Sequence, residues 1–232
     1  MNDKETLIES LRGKLIVSCQ ALPEEPLYDP ERSIMPFMAK AAAQGGASGI
    51  RCNSVRDVKE IQKAVSLPLI AIIKRNYDDS PIYITPTMKE IDELMACSPD
   101  IIAFDFTNRV HPGGISSEEL YRQARKKYPD QLFMADTSCF DEAKKAAEIG
   151  FDFVGTTMSG YVEGQTPSDQ PDFDLISRIC HETNARCIAE GKIHTPEQAA
   201  EALHLGAFCV VVGGAITRPL EITRRFSAVF NK

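Results

Sequence analysis

Eight short apolar runs recur along this chain, each followed by a stretch of helical period, and no other feature limits the fold as much. The runs are LIVSCQ, SGIRCN, LIAIIK, IIAFDF, LFMADT, FVGTT, CIAEG and CVVVGG. Short continuous apolar runs suit strands buried on both faces. The stretches between them carry helix-start signals: Ser54 precedes Asp57, Thr87 precedes Glu90, Ser116 precedes Glu119, and Thr195 precedes Pro196 and Gln198. In the last of these Thr195 can accept from the third helical amide while Gln198 reaches back, and Pro196 wastes no donor at the first helical position. That helix turns Ala199, Ala202 and Leu203 inward and stops at Gly206. GGASGI, IGFDFV and LGAFCVV each close a helix on a glycine and enter the next strand within a few residues. With no Pro-rich or Ser-rich linker dividing the pattern, the strands are predicted to be all parallel and covered by helices. Eight such units in 232 residues predict an α/β fold, a single (β/α)8 TIM barrel domain over residues 1–232, because such a barrel takes roughly 250 residues. An open doubly wound sheet fits less well: no GxGxxG follows the first run and no acidic ribose ligand follows the second. TLIESL, ahead of the first run, predicts a short N-terminal helix closing the lower end of the barrel.

Composition removes several function classes. The formal charge of -7 opposes a phosphate backbone, so no nucleic-acid partner is expected. No apolar run approaches the ~20 residues of a membrane span. The opening MNDKETLIESLRGK is acidic where an export signal is basic, and a cytoplasmic location is expected. Seven scattered cysteines without a CxxC pair argue against a disulfide framework. The four histidines show neither HExxH nor zinc spacing, so no metal is expected.

In a parallel barrel the carboxyl ends of all strands share one rim, and active sites are built there. Those ends are Gln20, Arg51, Lys74, Asp105, Asp136, Thr157, Glu190 and the pair Gly213 and Gly214. A single strand-end Asp or Thr is commonly a helix cap, and Lys74 alone could snorkel to water. Seven polar ends on one rim call for more than caps. Lys74 and Glu190 together suggest proton carriers, since burial lowers a lysine pKa and raises a carboxylate pKa while pairing opposes both. VVVGGAITRP places two glycines after the last run, then Arg218, then a helix near Pro219. Glycines let backbone amides approach an anion and an arginine grips two oxygens, so Gly213, Gly214 and Arg218 form a candidate phosphate cradle. Gly191 and Lys192 join it from the loop after the seventh strand.

GKLIVSCQALPEEPL, GGASGIR, IIKRNY with YITPT, MADTSC, GFDFVGTTMSGY, IAEGKIHTP and VVGGAITRP, in this order and spacing, resemble the N-acetylmannosamine-6-phosphate 2-epimerase family of bacterial sialic acid catabolism. The resemblance runs nearly end to end. It implies interconversion of N-acetylmannosamine 6-phosphate and N-acetylglucosamine 6-phosphate without metal or organic cofactor, on a barrel that is usually a homodimer. It implies Lys74 and Glu190 as the catalytic pair, Gln20, Arg51 and Asp136 as sugar-site residues, and Arg218 with its neighbouring glycines at the phosphate. Thr157 is added to the substrate-binding set by its strand-end place. Two stretches depart from the family pattern: FDFTNRVHPGG, with His111 before Pro112, and YVEGQTP after Gly160. Alternative readings keep the barrel but make Lys74 a Schiff-base former in an aldolase or lyase, or make the chain a metal-dependent pentose-phosphate epimerase or a noncatalytic phosphosugar sensor.

Overall fold

The computed structural model describes residues 3–230. Its strands are β1 (Leu15–Cys19), β2 (Gly49–Asn53), β3 (Leu69–Ile72), β4 (Ile101–Asp105), β5 (Leu132–Asp136), β6 (Phe153–Gly155), β7 (Cys187–Glu190) and β8 (Cys209–Val212). Each pairs in parallel with the next, and β8 pairs with β1, so the sheet closes into the expected barrel. The helices are α1 (Asp3–Ser10), α2 (Met35–Gln44), α3 (Val55–Ala64), α4 (Met88–Met95), α5 (Ser117–Lys127), α6 (Phe140–Ile149), α7 (Phe173–Glu182), α8 (Pro196–His204), α9 (Gly214–Thr217) and α10 (Pro219–Ser227).

The four helix starts read from the sequence all carry their caps. Ser54 accepts from Asp57 N and Ser116 from Glu119 N, while Thr87 with Glu90 and Thr195 with Gln198 form reciprocal capping boxes. The short α9 escapes the sequence reading, because GAIT has neither a capping side chain nor the length to show a period. As anticipated, α1 closes the lower end: Ile8 and the following Leu11 pack with Ile16 and Phe208 inside the barrel.

Strand side chains alternate between two cores. Val17, Ile50, Ala71, Ile102, Phe133, Val154 and Ala189 face outward into the layer beneath the helices. Ile16, Ile70, Ile72, Ile101, Ala103, Leu132, Met134, Phe153, Ile188, Cys209 and Val211 fill the barrel. This period of two decides where the site lies. Extending each interior row by two residues toward the carboxyl end gives Lys74 after Ile72, Asp105 after Ala103, Asp136 after Met134, Glu190 after Ile188 and Gly213 after Val211. The polar residues at the strand ends therefore form the top layer of the barrel interior.

Several strands end one or two residues earlier than their apolar runs. Lys74 lies beyond β3 because its N–H is taken by the Asn53 side chain at 2.8 Å and that of Ile73 by Thr85 Oγ1 at 3.1 Å. A bridge to Ile84 then fixes Lys74 over the barrel mouth.

Candidate active site

One cavity of about 420 Å³ opens at the carboxyl ends of the strands. Gln20, Arg51, Lys74, Thr157, Glu190, Gly191, Lys192, Gly213, Gly214 and Arg218, ten of the residues expected in the site, all line it. The eleventh, Asp136, is not among the lining residues. Its carboxylate is fully buried below the cavity wall, where Arg51 Nη1 donates to Oδ1 at 3.1 Å and Nη2 to Oδ2 at 2.5 Å. Such a paired guanidinium is rigid.

Arg51 is 1% exposed. Burial opposes its charge, but Asp136 and Glu190 more than restore it, so it remains a cation. Its Nη1 also donates to Glu190 Oε2 at 2.8 Å. Thr157 Oγ1 lies 2.8 Å from Asp136 Oδ1 and 3.1 Å from Glu190 Oε2, so its one proton is shared between the carboxylates. The backbone of Glu190 is held as well, with its N–H donating to Thr156 Oγ1 and its carbonyl accepting from it. The glycine that follows has a φ of +109°, which turns the chain sharply away after the carboxylate and suits Gly191 for that place.

Burial pushes the Glu190 carboxyl up to about 7, against the pull of Arg51 and with Asp136 adding to the rise. Burial likewise pulls the Lys74 ammonium down to about 8, assisted by Arg218 and Arg51 and opposed by Glu190. Lys74 has no hydrogen bond or ion pair through its ammonium among the described residues. An unpaired lysine and a crowded glutamate thus titrate within about one unit of each other. In the ring order of eight strands, β3 and β7 lie opposite one another, so the two groups face across the mouth.

Two further polar atoms in this wall lack partners among the described residues. Gln20 donates its amide to Ser18 Oγ at 2.9 Å and leaves Oε1 buried and unsatisfied, and His194 Nδ1 is in the same condition.

In the same cavity Arg218 pairs with Glu25 at 2.8 Å and Glu221 at 3.1 Å. Neither glutamate was expected in the site. Glu25 sits in the loop after β1, where no local pattern points to the eighth strand, whereas Glu221, three residues after Arg218 on a helix, was open to the usual spacing argument. Lys192, expected to face phosphate, spends its ammonium on the Ser159 carbonyl at 2.8 Å and lies 4.6 Å from the centre of the Tyr161 ring. That bond ties it to the loop after β6. The FDFTNRVHPGG departure is structural: Asp105 holds Thr107 and Arg109, and buried His111 bridges the Pro86 carbonyl and Ser117 Oγ. No group of three or more His, Cys, Asp or Glu among the described residues could hold a metal ion.

A parallel (β/α)8 barrel whose rim cavity gathers a lysine, a glutamate and an arginine beside two glycines defines the class: a barrel enzyme for a small anionic substrate. The chain belongs to the N-acetylmannosamine-6-phosphate epimerase family, whose model matches residues 35–232. A protein of Caldanaerobacter subterraneus subsp. tengcongensis, named by inference as N-acetylmannosamine-6-phosphate 2-epimerase, is 49% identical over 220 residues, 95% of this chain and 92% of its own. A protein of the same name from Enterobacter sp. is 51% identical over 226 residues, 97% of this chain and 95% of its own. The solved N-acetylmannosamine-6-phosphate 2-epimerase of Clostridium perfringens superposes with a TM-score of 0.91 at 47% identity, covering 96% of each chain. Thiamine phosphate pyrophosphorylase of Pyrococcus furiosus, at 17% identity and a TM-score of 0.61 over 94% of this chain and 93% of its own, shares the fold.

Proposed function

We propose that this protein interconverts N-acetylmannosamine 6-phosphate and N-acetylglucosamine 6-phosphate by removing and returning the proton on carbon 2. The observation that carries the reading is the placement of Lys74 and Glu190 on opposite strands of one cavity that Arg218 also lines. Inversion of carbon 2 needs a proton taken from one face and delivered to the other, which two groups facing each other across a mouth can do. The closed sugar has no carbonyl next to carbon 2, so the open-chain aldehyde is the reacting form. Phosphate held at Arg218 lets remote binding energy keep that flexible chain in the reactive pose. Arg51, pinned by Asp136, supplies a fixed positive charge for the enolate oxygen, and pre-placed donors of this kind are worth about 10²–10³ in rate. Gln20 Oε1 needs a donor and can accept from the acetamido N–H or a sugar hydroxyl.

The pair shares one proton in the working state. With burial raising Glu190 to about 7 and lowering Lys74 to about 8, carboxylate with ammonium and carboxylic acid with amine are brought close in energy. Neither direction of the reaction is therefore starved of its starting form. Below about 7 both groups are protonated and no base remains; above about 8 both are deprotonated and no acid remains. A bell-shaped profile of kcat/KM is expected, with its limbs near those two values. A profile flat from pH 6 to 9 would exclude this pair as the proton carriers.

Turnover of N-acetylmannosamine 6-phosphate in deuterated water, followed at carbon 2 by NMR, tests the reading directly. Deuterium at carbon 2 of the inverted product is the expected outcome, and failure to exchange or invert would overturn it. Borohydride trapping that left no added mass on Lys74 would dispose of the Schiff-base alternative.

The proposal includes a homodimer working in the cytoplasm. Helix α10 buries none of its residues, and Leu220, Phe226, Val229 and Phe230 stand exposed along and beyond it, a face that a second copy would cover. Seven free cysteines suit a reducing compartment. No helix among the described residues is long and apolar enough to cross a membrane.

A further inference from the structure

Arg218 is held unequally by its two carboxylates. Glu25 takes Nε at 2.8 Å through Oε1, while its Oε2 accepts from Leu22 N at 2.8 Å, so both of its oxygens are fixed. Glu221 takes Nη1 at 3.1 Å, and its carboxylate lies against Gly214, in the space a Cβ there would fill. The Glu221 side chain is 39% exposed and that of Glu25 22%, so Glu221 is the freer of the two. Nη2 of Arg218 has no partner among the described residues.

A phosphate at this end would take the Nη1 and Nη2 edge of Arg218 as a bidentate pair and approach the backbone where glycine leaves room. That is the volume the Glu221 carboxylate occupies. We propose that Glu221 is an internal anion standing in the phosphate position, and that the substrate's phosphate binds by displacing it while Glu25 keeps the guanidinium in place. The inference deepens the proposed function and rests on its assignment of Arg218 to phosphate. Displacement of Glu221 weakens every anion by a similar factor. Free phosphate and phosphosugar bear the same penalty, so the device lowers occupancy by phosphate alone without changing the ratio of the two affinities.

The test is calorimetric titration of the full chain with inorganic phosphate at pH 7.5 and fixed ionic strength. An exposed ion pair of this kind is worth up to about 1 kcal/mol, so Glu221→Gln should bind phosphate about 3- to 5-fold more tightly than the parent. Glu221→Ala should do the same, which guards against a peculiarity of glutamine. Arg218→Ala should lose phosphate binding and raise KM for the phosphosugar. If Arg218→Ala loses binding while both Glu221 variants match the parent or bind more weakly, the displaced-anion inference is wrong and the phosphate assignment survives. If Arg218→Ala binds phosphate as the parent does, the phosphate assignment falls and the inference with it.

Discussion

Lys74→Met should lose turnover by about 10³-fold or more while melting at a higher temperature than the parent. The first half follows from the role of the amine as proton carrier, worth about 10²–10⁴ in rate, together with the absence of a second lysine able to replace it: Lys192, the other lysine lining the cavity, is engaged by Ser159. The second half follows from burial. Lys74 titrates at about 8 in the folded chain, below its ordinary 10.5, so folding disfavours its charge. Between those values the unfolded chain binds more protons than the folded one, and stability rises with pH. The cost is present in full below about pH 8 and is relieved as pH climbs toward 10.5. Methionine keeps the apolar stem and removes the charge, and a gain of about 1–2 kcal/mol at pH 7 is typical when an active-site group is replaced this way. For a chain of this size that raises the melting temperature by roughly 2–8 °C. Scanning calorimetry at pH 7 and again near pH 10 should show the advantage shrinking at the higher pH. Turnover within tenfold of the parent would remove Lys74 from the mechanism.

Asp136→Asn should be the most destabilising single change in the site. It removes the acceptor of one of two hydrogen bonds to a guanidinium that is 1% exposed, and places an amide N–H against arginine N–H there. Breaking one partner out of a buried pair costs about 3–5 kcal/mol, because the remaining charge stays where water cannot reach it. Glu190 keeps its own bond to Arg51, which places the expected loss toward the lower end of that range. Denaturant unfolding measures the loss. The change also carries a kinetic signature: Asp136 raises the Glu190 pKa, so removing its charge should move the acidic limb of kcat/KM to lower pH. A variant as stable as the parent, with an unmoved limb, would show that Asp136 neither supports Arg51 nor acts on Glu190.

These two positions show how unevenly the site could be read from the chain. Lys74 and Glu190 are conspicuous in sequence because each ends an apolar strand with a charge. Asp136 ends its strand in the same manner and yet belongs beneath the cavity, since its place depends on Arg51, 85 residues away. Lys192 follows Glu190 by two residues in a loop suited to phosphate, but the loop after β6 folds back and claims its ammonium. Glu25 reaches Arg218 from the opposite end of the chain, a meeting that no local period encodes.

The sequence by itself determined the eight strand and helix units, the caps at Ser54, Thr87, Ser116 and Thr195, and the interior rows that turn polar at one rim. These are local matters, fixed by period, chain stiffness and hydrogen-bonding groups within a few residues of each other. Closure of the sheet decided the rest. Only when β8 pairs with β1 do β3 and β7 stand across from one another, and only then does Glu190 meet Arg51, 139 positions earlier in the chain. Burial at that closed mouth is also what draws the lysine and the glutamate toward a common pKa, because desolvation belongs to the enclosed volume and not to any segment that lines it.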